Sequence, residues 1–219
     1  CQLFFFFIMK TNYQVRYAAH PEDAKHYDTK RIRRDFLIES VFTADEVNMV
    51  YSMYDRMLVG GAMPVTEQLT LEAIDPLKST YFTTRREIGI FNVGGDGYVK
   101  VGDETFELGY KEALYIGRGE RNVIFCSKDG KAPAKFYFNS CTAHTAYPCR
   151  KVTKADAITT SMGEQATSNE RNINKMIVSQ VLPTCQLQMG MTELSIGSVW
   201  NTMPAHAHSR RMEAYFYFE

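Results

Sequence analysis

Apolar and polar residues alternate in short stretches along most of the chain. This period of two is typical of strands that bury one face. It predicts strands at residues 80–93, 98–101, 105–108, 113–116, 122–126, 135–139, 185–194, 198–203 and 212–218. Turn residues separate several of these stretches. Many short strands at this spacing indicate a β-sandwich or barrel rather than alternating strands and helices, so we predict an all-β fold.

Helical periodicity is scarce. Residues 28–39 place Ile32, Phe36 and Leu37 at helical spacing behind a possible cap at Thr29, which predicts one short helix. Residues 94–97 read Gly-Gly-Asp-Gly, and no helical pattern follows them. We therefore interpret this stretch as the turn of a β-hairpin rather than as a phosphate-binding loop.

Composition divides the chain into four predicted segments. These are an N-terminal tail at 1–27, a first β unit at 28–147, a polar linker or crossover at 148–172, and the start of a second β unit at 173–219. Within the tail, we expect residues 1–8 not to be native, because this phenylalanine-rich stretch precedes Met9. The sequence stops inside an alternating run, so we expect the second unit to be truncated at its C-terminus.

The charge balance argues against two classes of partner. Lysine plus arginine and aspartate plus glutamate both number 25. A balanced chain has no general attraction for nucleic acid or anionic lipid, which requires clustered positive charge. The five cysteines show no close CxxC pair. Free thiols in a reducing cytoplasm are therefore expected.

The candidate chemistry lies near the end of the chain. His206 and His208 are two residues apart, so on a strand they share one face. Residues 209–211 can turn the chain, and Glu213 on the returning strand can then meet both imidazoles. Two histidines and a carboxylate suit a divalent metal and leave positions open for a substrate. The same set serves iron oxygenases, zinc or manganese isomerases and sugar-binding domains. Two hydrogen-bonded structural histidines are the plainer alternative.

Other residues are weaker candidates. Arg211, or its neighbour Arg210, can bind a substrate carboxylate through two parallel hydrogen bonds. Tyr217 shares the predicted face of Glu213, so its hydroxyl can line a cavity. We interpret His144 as a loop residue and Cys185 as an inert core thiol. Arg85 and Glu87 are expected to form an internal ion pair. No residue is identified as the base that carries a proton.

Several motifs together resemble one family. The chain is similar to the 5-keto-4-deoxyuronate isomerases of bacterial pectin and uronate breakdown, which are also called 4-deoxy-L-threo-5-hexosulose-uronate ketol-isomerases. The matching stretches are 51–52, 55–56, 59–64, 85–87, 113–117, 133–137, 143–145, 184–187, 191–194 and 200–218. Each match alone is weak. Their order and density from about residue 31 to the last residue are specific.

The resemblance implies a bicupin, which has two tandem cupin barrels, with a metal site only in the second. It implies one zinc ion per subunit held by His206, His208 and Glu213, with a fourth ligand expected beyond residue 219. It also implies a hexamer and a small deoxy-keto-uronate substrate. The implied reaction interconverts 5-dehydro-4-deoxy-D-glucuronate and 3-deoxy-D-glycero-2,5-hexodiulosonate. The alternatives left open are a non-catalytic sugar-binding bicupin and an iron-dependent cupin dioxygenase.

Overall fold

Strands dominate the part of the chain that the computed structural model describes, which is residues 11–201, 208–209 and 211–219. The strands are β1 (Thr11–Arg16), β2 (Val47–Ser52), β3 (Leu58–Ala62), β4 (Leu69–Thr70), β5 (Arg86–Asn92), β6 (Gly97–Val101), β7 (Glu104–Leu108), β8 (Ala113–Ile116), β9 (Val123–Ser127), β10 (Phe136–Thr142), β11 (Arg150–Val152), β12 (Ile158–Met162), β13 (Arg171–Ile177) and β14 (Met189–Leu194). Two short helices, α1 (Pro21–Ala24) and α2 (Thr29–Phe36), precede β2, and single 3-10 turns span Asp75–Leu77, Lys154–Asp156 and Gln165–Thr167.

Two sheets enclose the main core. A seven-stranded sheet has the order β1-β2-β3-β10-β5-β8-β11, and a four-stranded sheet has the order β4-β9-β6-β7. Their inner faces share one buried apolar cluster, to which β10 contributes Phe136 and Phe138 and β9 contributes Phe125. The rings of Phe125 and Phe136 stack with centroids 5.3 Å apart. The predicted all-β, cupin-type fold is confirmed.

The outer face of the seven-stranded sheet is buried as well. Residues two apart on a strand share a face, so Tyr137 and Cys141 on β10 point away from the first core. They pack in a second apolar cluster with Ile177 on β13 and Met189 on β14. The strands β12, β13 and β14 form a separate three-stranded sheet. Burial on both faces explains why all seven residues of β5 are buried.

Gly89 on β5 lies at a close contact between the two units. A Cβ atom added at Gly89 would lie 2.4 Å from the Met189 sulfur and 2.9 Å from Ile177 Cδ1. Carbon atoms in contact normally lie about 3.5–4.0 Å apart. The absence of a side chain therefore lets the second unit approach the sheet.

Several local predictions need correction. The cap of α2 is Asp28, whose carboxylate accepts from the Arg31 backbone N–H, and not Thr29. Residues 94–97 do not turn a hairpin, because β5 and β6 lie in different sheets. The turn at Gly102, in contrast, joins the paired strands β6 and β7.

The predicted segment limits stay a prediction, but two of the segments contain more structure than expected. The tail includes β1, which pairs in parallel with β2. The linker includes β11, which pairs with β8, and β12, which pairs with β13. Within the described residues, no helix is long and apolar enough to cross a membrane.

Candidate active site

Three side chains meet near the end of the chain. His208 Nε2 lies 3.0 Å from Glu213 Oε1. A guanidinium nitrogen of Arg211 lies 3.1 Å from the same carboxylate oxygen and 3.2 Å from His208 Nε2. His206 and Arg210, the other two predicted site residues in this stretch, lie outside the described residues. The predicted approach of Glu213 to His208 is present in the structure, and Arg211 joins it.

The extended segment 211–219 holds Glu213 in place. The backbone N–H of Met212 donates to Asp55 Oδ2 at 3.1 Å. Alternate residues Ala214, Phe216 and Phe218 are half-buried against the outer face of the seven-stranded sheet. The Phe216 ring stacks on Tyr137 with centroids 4.3 Å apart. Apolar contacts on one side of the segment therefore orient the polar side chains on its other side.

Two strand predictions in this region are wrong over the described residues, because residues 198–201 and 212–218 are not strands. The strand predicted at 185–194 is confirmed only for residues 189–194, which form β14. The alternation of faces predicted for 212–218 is nevertheless present, because residues 213, 215, 217 and 219 are exposed and those between them are half-buried. Glu213 thus belongs to the exposed row. Tyr217 lies on that row with 81% of its surface exposed.

Both oxygens of Glu213 have partners. Oε1 contacts His208 and Arg211, and Oε2 accepts a hydrogen bond of 2.8 Å from the Tyr215 hydroxyl. This hydrogen bond to the carboxylate raises the pKa of Tyr215. His208 Nε2 is engaged in either tautomer, because it donates to Glu213 when protonated and accepts from Arg211 when not. The four residues form a small polar network at the protein surface.

The donor chemistry of this network fits zinc. Catalytic zinc sites use imidazole nitrogens and carboxylate oxygens at about 2.0–2.2 Å from the ion. The separation of 3.0 Å between His208 Nε2 and Glu213 Oε1 is compatible with one ion touching both. Among the described residues, no three His, Cys, Asp or Glu side chains converge as a metal site requires. The described part of the chain therefore contains two of the three candidate ligands, His208 and Glu213.

A cavity of about 670 Å³ lies between the segment 211–218 and the outer face of the seven-stranded sheet. Arg211 and Glu213 line it on one side, and Tyr137, Asn139 and Cys141 line it on the other. Burial is the main cause that raises the pKa of Cys141, so its thiol is uncharged at neutral pH. The cavity wall formed by β10 is thus polar but neutral. The opposite wall carries the charged side chains of Arg211 and Glu213.

Glu87 has a role that the sequence did not reveal. Its expected ion pair with Arg85 is wrong, because Arg85 is exposed while Glu87 is fully buried. The carboxylate accepts 2.8 Å hydrogen bonds from the backbone N–H groups of three successive residues, Cys185, Gln186 and Leu187. The Tyr115 hydroxyl donates to it at 2.7 Å. An acidic residue directly before the apolar run of residues 88–91 was the only signal of this arrangement in the sequence.

The remaining sequence candidates lie elsewhere. His144 is exposed in the loop after β10, as expected. Cys185 is not a core thiol within a strand. It is half-buried before β14, and its sulfur lies 3.2 Å from the Thr145 carbonyl oxygen.

Comparison with known proteins identifies the family. A family model described as the KduI/IolB family matches residues 36–219. A 4-deoxy-L-threo-5-hexosulose-uronate ketol-isomerase of Bacteroides fragilis is 75% identical over 211 residues, which cover 96% of this chain and 75% of that protein. The chain belongs to the KduI/IolB family. Proteins with the same name from Formosa agariphila and Yersinia pseudotuberculosis are 53% and 52% identical, and the chain covers 75% of each.

Membership of the KduI/IolB family confirms the predicted resemblance. Ketol-isomerases are intramolecular oxidoreductases, so the predicted enzyme class is confirmed as well. Among solved structures, an IolB-like protein from Salmonella typhimurium matches with a TM-score of 0.42 and 16% identity, over 60% of this chain and 45% of that one. A cupin protein from Bacteroides fragilis matches with a TM-score of 0.29 and 14% identity, over 42% of this chain and 69% of that one.

Proposed function

We propose that the protein is a zinc-dependent ketol-isomerase that interconverts 5-dehydro-4-deoxy-D-glucuronate and 3-deoxy-D-glycero-2,5-hexodiulosonate in pectin and uronate breakdown. The observation that carries this proposal is the 75% identity, over 96% of the chain, to proteins named 4-deoxy-L-threo-5-hexosulose-uronate ketol-isomerase. The contact between His208 and Glu213 beside a cavity supports it. We further propose that the enzyme is cytoplasmic and hexameric, as the resemblance to the family implies.

An aldose-to-ketose isomerisation moves a proton or a hydride between adjacent carbons, and we propose the proton route. A proton leaves the hydroxyl-bearing carbon beside the aldehyde, which gives an enediolate, and a proton is then added to the former aldehyde carbon. The hydroxyl proton passes to the other oxygen, so the product is a ketone isomeric with the substrate. Groups that stabilise negative charge on the two oxygens lower the barrier to this step. The site must therefore supply positive charge and a place for the substrate carboxylate.

Residues of this chain meet both needs. Bound zinc would be held by His208 and Glu213, with His206 as the third ligand, and would supply Lewis-acid stabilisation of the substrate oxygens. The Arg211 guanidinium lies beside these residues with 60% of its side chain exposed. It is suited to pairing with the substrate carboxylate, because its planar donors match two carboxylate oxygens. The imidazole nitrogen of His208 has one lone pair, so metal binding there requires the hydrogen bond from Arg211 to break.

Metal analysis combined with an activity assay tests the proposal. We expect the purified protein to contain zinc and to convert the aldose to the ketose, followed by proton NMR. His208→Gln should lower both the zinc content and the turnover at least tenfold, because loss of a direct ligand weakens the metal site. His26→Gln is the matched control, since His26 is exposed beside α1, and should change neither quantity.

The two alternatives give different results. Iron in place of zinc, with oxygen consumption, would support a cupin dioxygenase. Sugar binding without turnover would support a non-catalytic bicupin. Full activity of His208→Gln with normal zinc content would contradict the proposed metal site but not the reaction.

A further inference from the structure

Two buried polar atoms on β10 have no hydrogen-bond partner. The Tyr137 hydroxyl and the Asn139 side-chain oxygen are each inaccessible to solvent and make no hydrogen bond of normal geometry among the described residues. The Asn139 side chain nonetheless lies near the Tyr137 hydroxyl. Tyr137 is 6% exposed and Asn139 is 5% exposed. A buried polar group without a partner destabilises the folded protein, because it has lost its hydrogen bonds to water. Such groups call for an explanation, and two of them side by side on one strand are more unusual still.

Their position suggests what they bind. Residues 137 and 139 are two apart on β10, so their side chains lie on the same face. Both line the cavity of about 670 Å³ that Arg211 and Glu213 line from the other side. The Tyr137 ring is fixed by stacking on Phe216. The two atoms are thus held in fixed positions just beneath the cavity wall, so a ligand reaches them only when the groups that cover them shift.

The chemistry of the two atoms is complementary. Burial raises the pKa of Tyr137 to about 12, so its hydroxyl is protonated at neutral pH and can donate a hydrogen bond. The Asn139 oxygen can only accept one. A ligand that satisfies both must offer an acceptor oxygen and a hydroxyl donor close together. An α-hydroxy carbonyl compound or a vicinal diol has this arrangement.

We propose that Tyr137 and Asn139 bind adjacent oxygen atoms of an open-chain polyhydroxy acid, with its carboxylate directed toward Arg211. For the identity of that acid the inference rests on the proposed function, because the keto-uronate substrate carries a carbonyl, neighbouring hydroxyls and a carboxylate. Residues of the first β unit would then complete a substrate site whose metal ligands belong to the second. Tyr137 and Asn139 are binding residues in this arrangement.

Removal of the unpartnered hydroxyl gives a sharp test. Tyr137→Phe deletes a group that makes no protein hydrogen bond, so the thermal midpoint should stay the same or rise. The KM for the keto-uronate should rise about five- to tenfold, as expected for one lost hydrogen bond. Asn139→Ala should raise the KM similarly. It provides a second measurement if Tyr137→Phe fails to fold.

Tyr115→Phe is the matched control. The Tyr115 hydroxyl is buried on the same sheet face, but it donates to Glu87 at 2.7 Å and does not line the cavity. Its loss should lower the thermal midpoint and leave the KM unchanged. If Tyr137→Phe instead lowers the midpoint as Tyr115→Phe does, or leaves ligand affinity unchanged, the inference is wrong.

Calorimetric titration with D-gluconate, a stable open-chain polyhydroxy acid, separates this inference from the proposed function. Gluconate binding that weakens in Tyr137→Phe, in a protein without isomerase activity, would support the binding site and overturn the proposed function. Isomerase activity whose KM does not respond to either substitution would support the function and overturn the binding site. Neither binding nor turnover in the wild-type protein would overturn both.

Discussion

At the scale of single residues, Glu87 explains how a carboxylate can be buried in a wall of apolar side chains. An isolated buried charge is very unfavourable, and it is tolerated only when several donors replace the lost water. Three backbone N–H groups and the Tyr115 hydroxyl do so here. The donors of the three backbone bonds are 98 to 100 residues away along the chain. No local pattern in the sequence could therefore have predicted this contact.

Substitution of Glu87 should lower the free energy of unfolding. In Glu87→Gln, one acceptor oxygen becomes an NH₂ group that faces N–H donors, and buried donors lose their partner. We expect a loss of about 1–3 kcal/mol in the free energy of unfolding for each donor left without a partner, measured by urea denaturation. Arg85→Ala is the control, because Arg85 is exposed two residues away and should matter little. A Glu87→Gln variant as stable as the wild-type protein would contradict the described hydrogen bonds.

At the scale of elements, the turn at residues 94–97 leads the chain from one sheet to the other. Its close packing requires glycine, since a Cβ atom at Gly95 would lie 1.9 Å from the Ala132 carbonyl oxygen. The Asn92 side chain closes the turn by donating to the Gly95 and Leu108 carbonyl oxygens. The glycines correctly indicated a turn, but turn residues alone do not specify whether the strands on either side pair.

Gly95→Ala should destabilise the protein. The added methyl group meets backbone rather than a movable side chain, so the turn itself must shift. We expect a loss of about 3 kcal/mol, measured from the urea midpoint. Gly109→Ala is the matched control, because the nearest atom to its added Cβ is a Glu112 side-chain oxygen at 3.4 Å, an ordinary contact. Equal effects of the two substitutions would contradict the contact with Ala132 as the cause of the loss.

The sequence predicted the inner strands of the sheets better than it predicted the candidate site. The strand β8 was predicted at its observed limits, because its residues are uniformly apolar and turns bound it. Approach of Glu213 to His208 was also predicted, since the spacing limits where the two can meet. The cavity wall at Tyr137 and Asn139 was not, because strand β10 is buried on both faces and its outward polar residues gave no distinct pattern.

At the scale of the whole molecule, an ion-pair network ties the second unit to the first. Glu193 on β14 lies 3.3 Å from Lys111, in the turn before β8, and 2.5 Å from Lys154, which follows β11. Asn174 on β13 donates to the same carboxylate at 3.0 Å. The hydrogen bond from Lys154 is the largest of the interactions that lower the pKa of Glu193. The two units are thus joined by charge as well as by the buried apolar cluster and Glu87.

This network should make part of the stability depend on pH. The pKa of Glu193 is lower in the folded protein than in the unfolded chain. The ionised carboxylate therefore contributes its full stabilisation above the unfolded pKa, about 4.3. This stabilisation is lost as the pH falls through the pKa of the folded protein. At pH 7 we expect Glu193→Gln to lower the free energy of unfolding by about 1 kcal/mol. The difference from wild type should shrink below about pH 4, measured by urea denaturation across this range. Glu107→Gln is the control, since Glu107 pairs with Lys128 on the exposed surface and should change the urea midpoint little. A difference that stays constant down to pH 3 would mean that packing of Glu193, and not its charge, joins the two units.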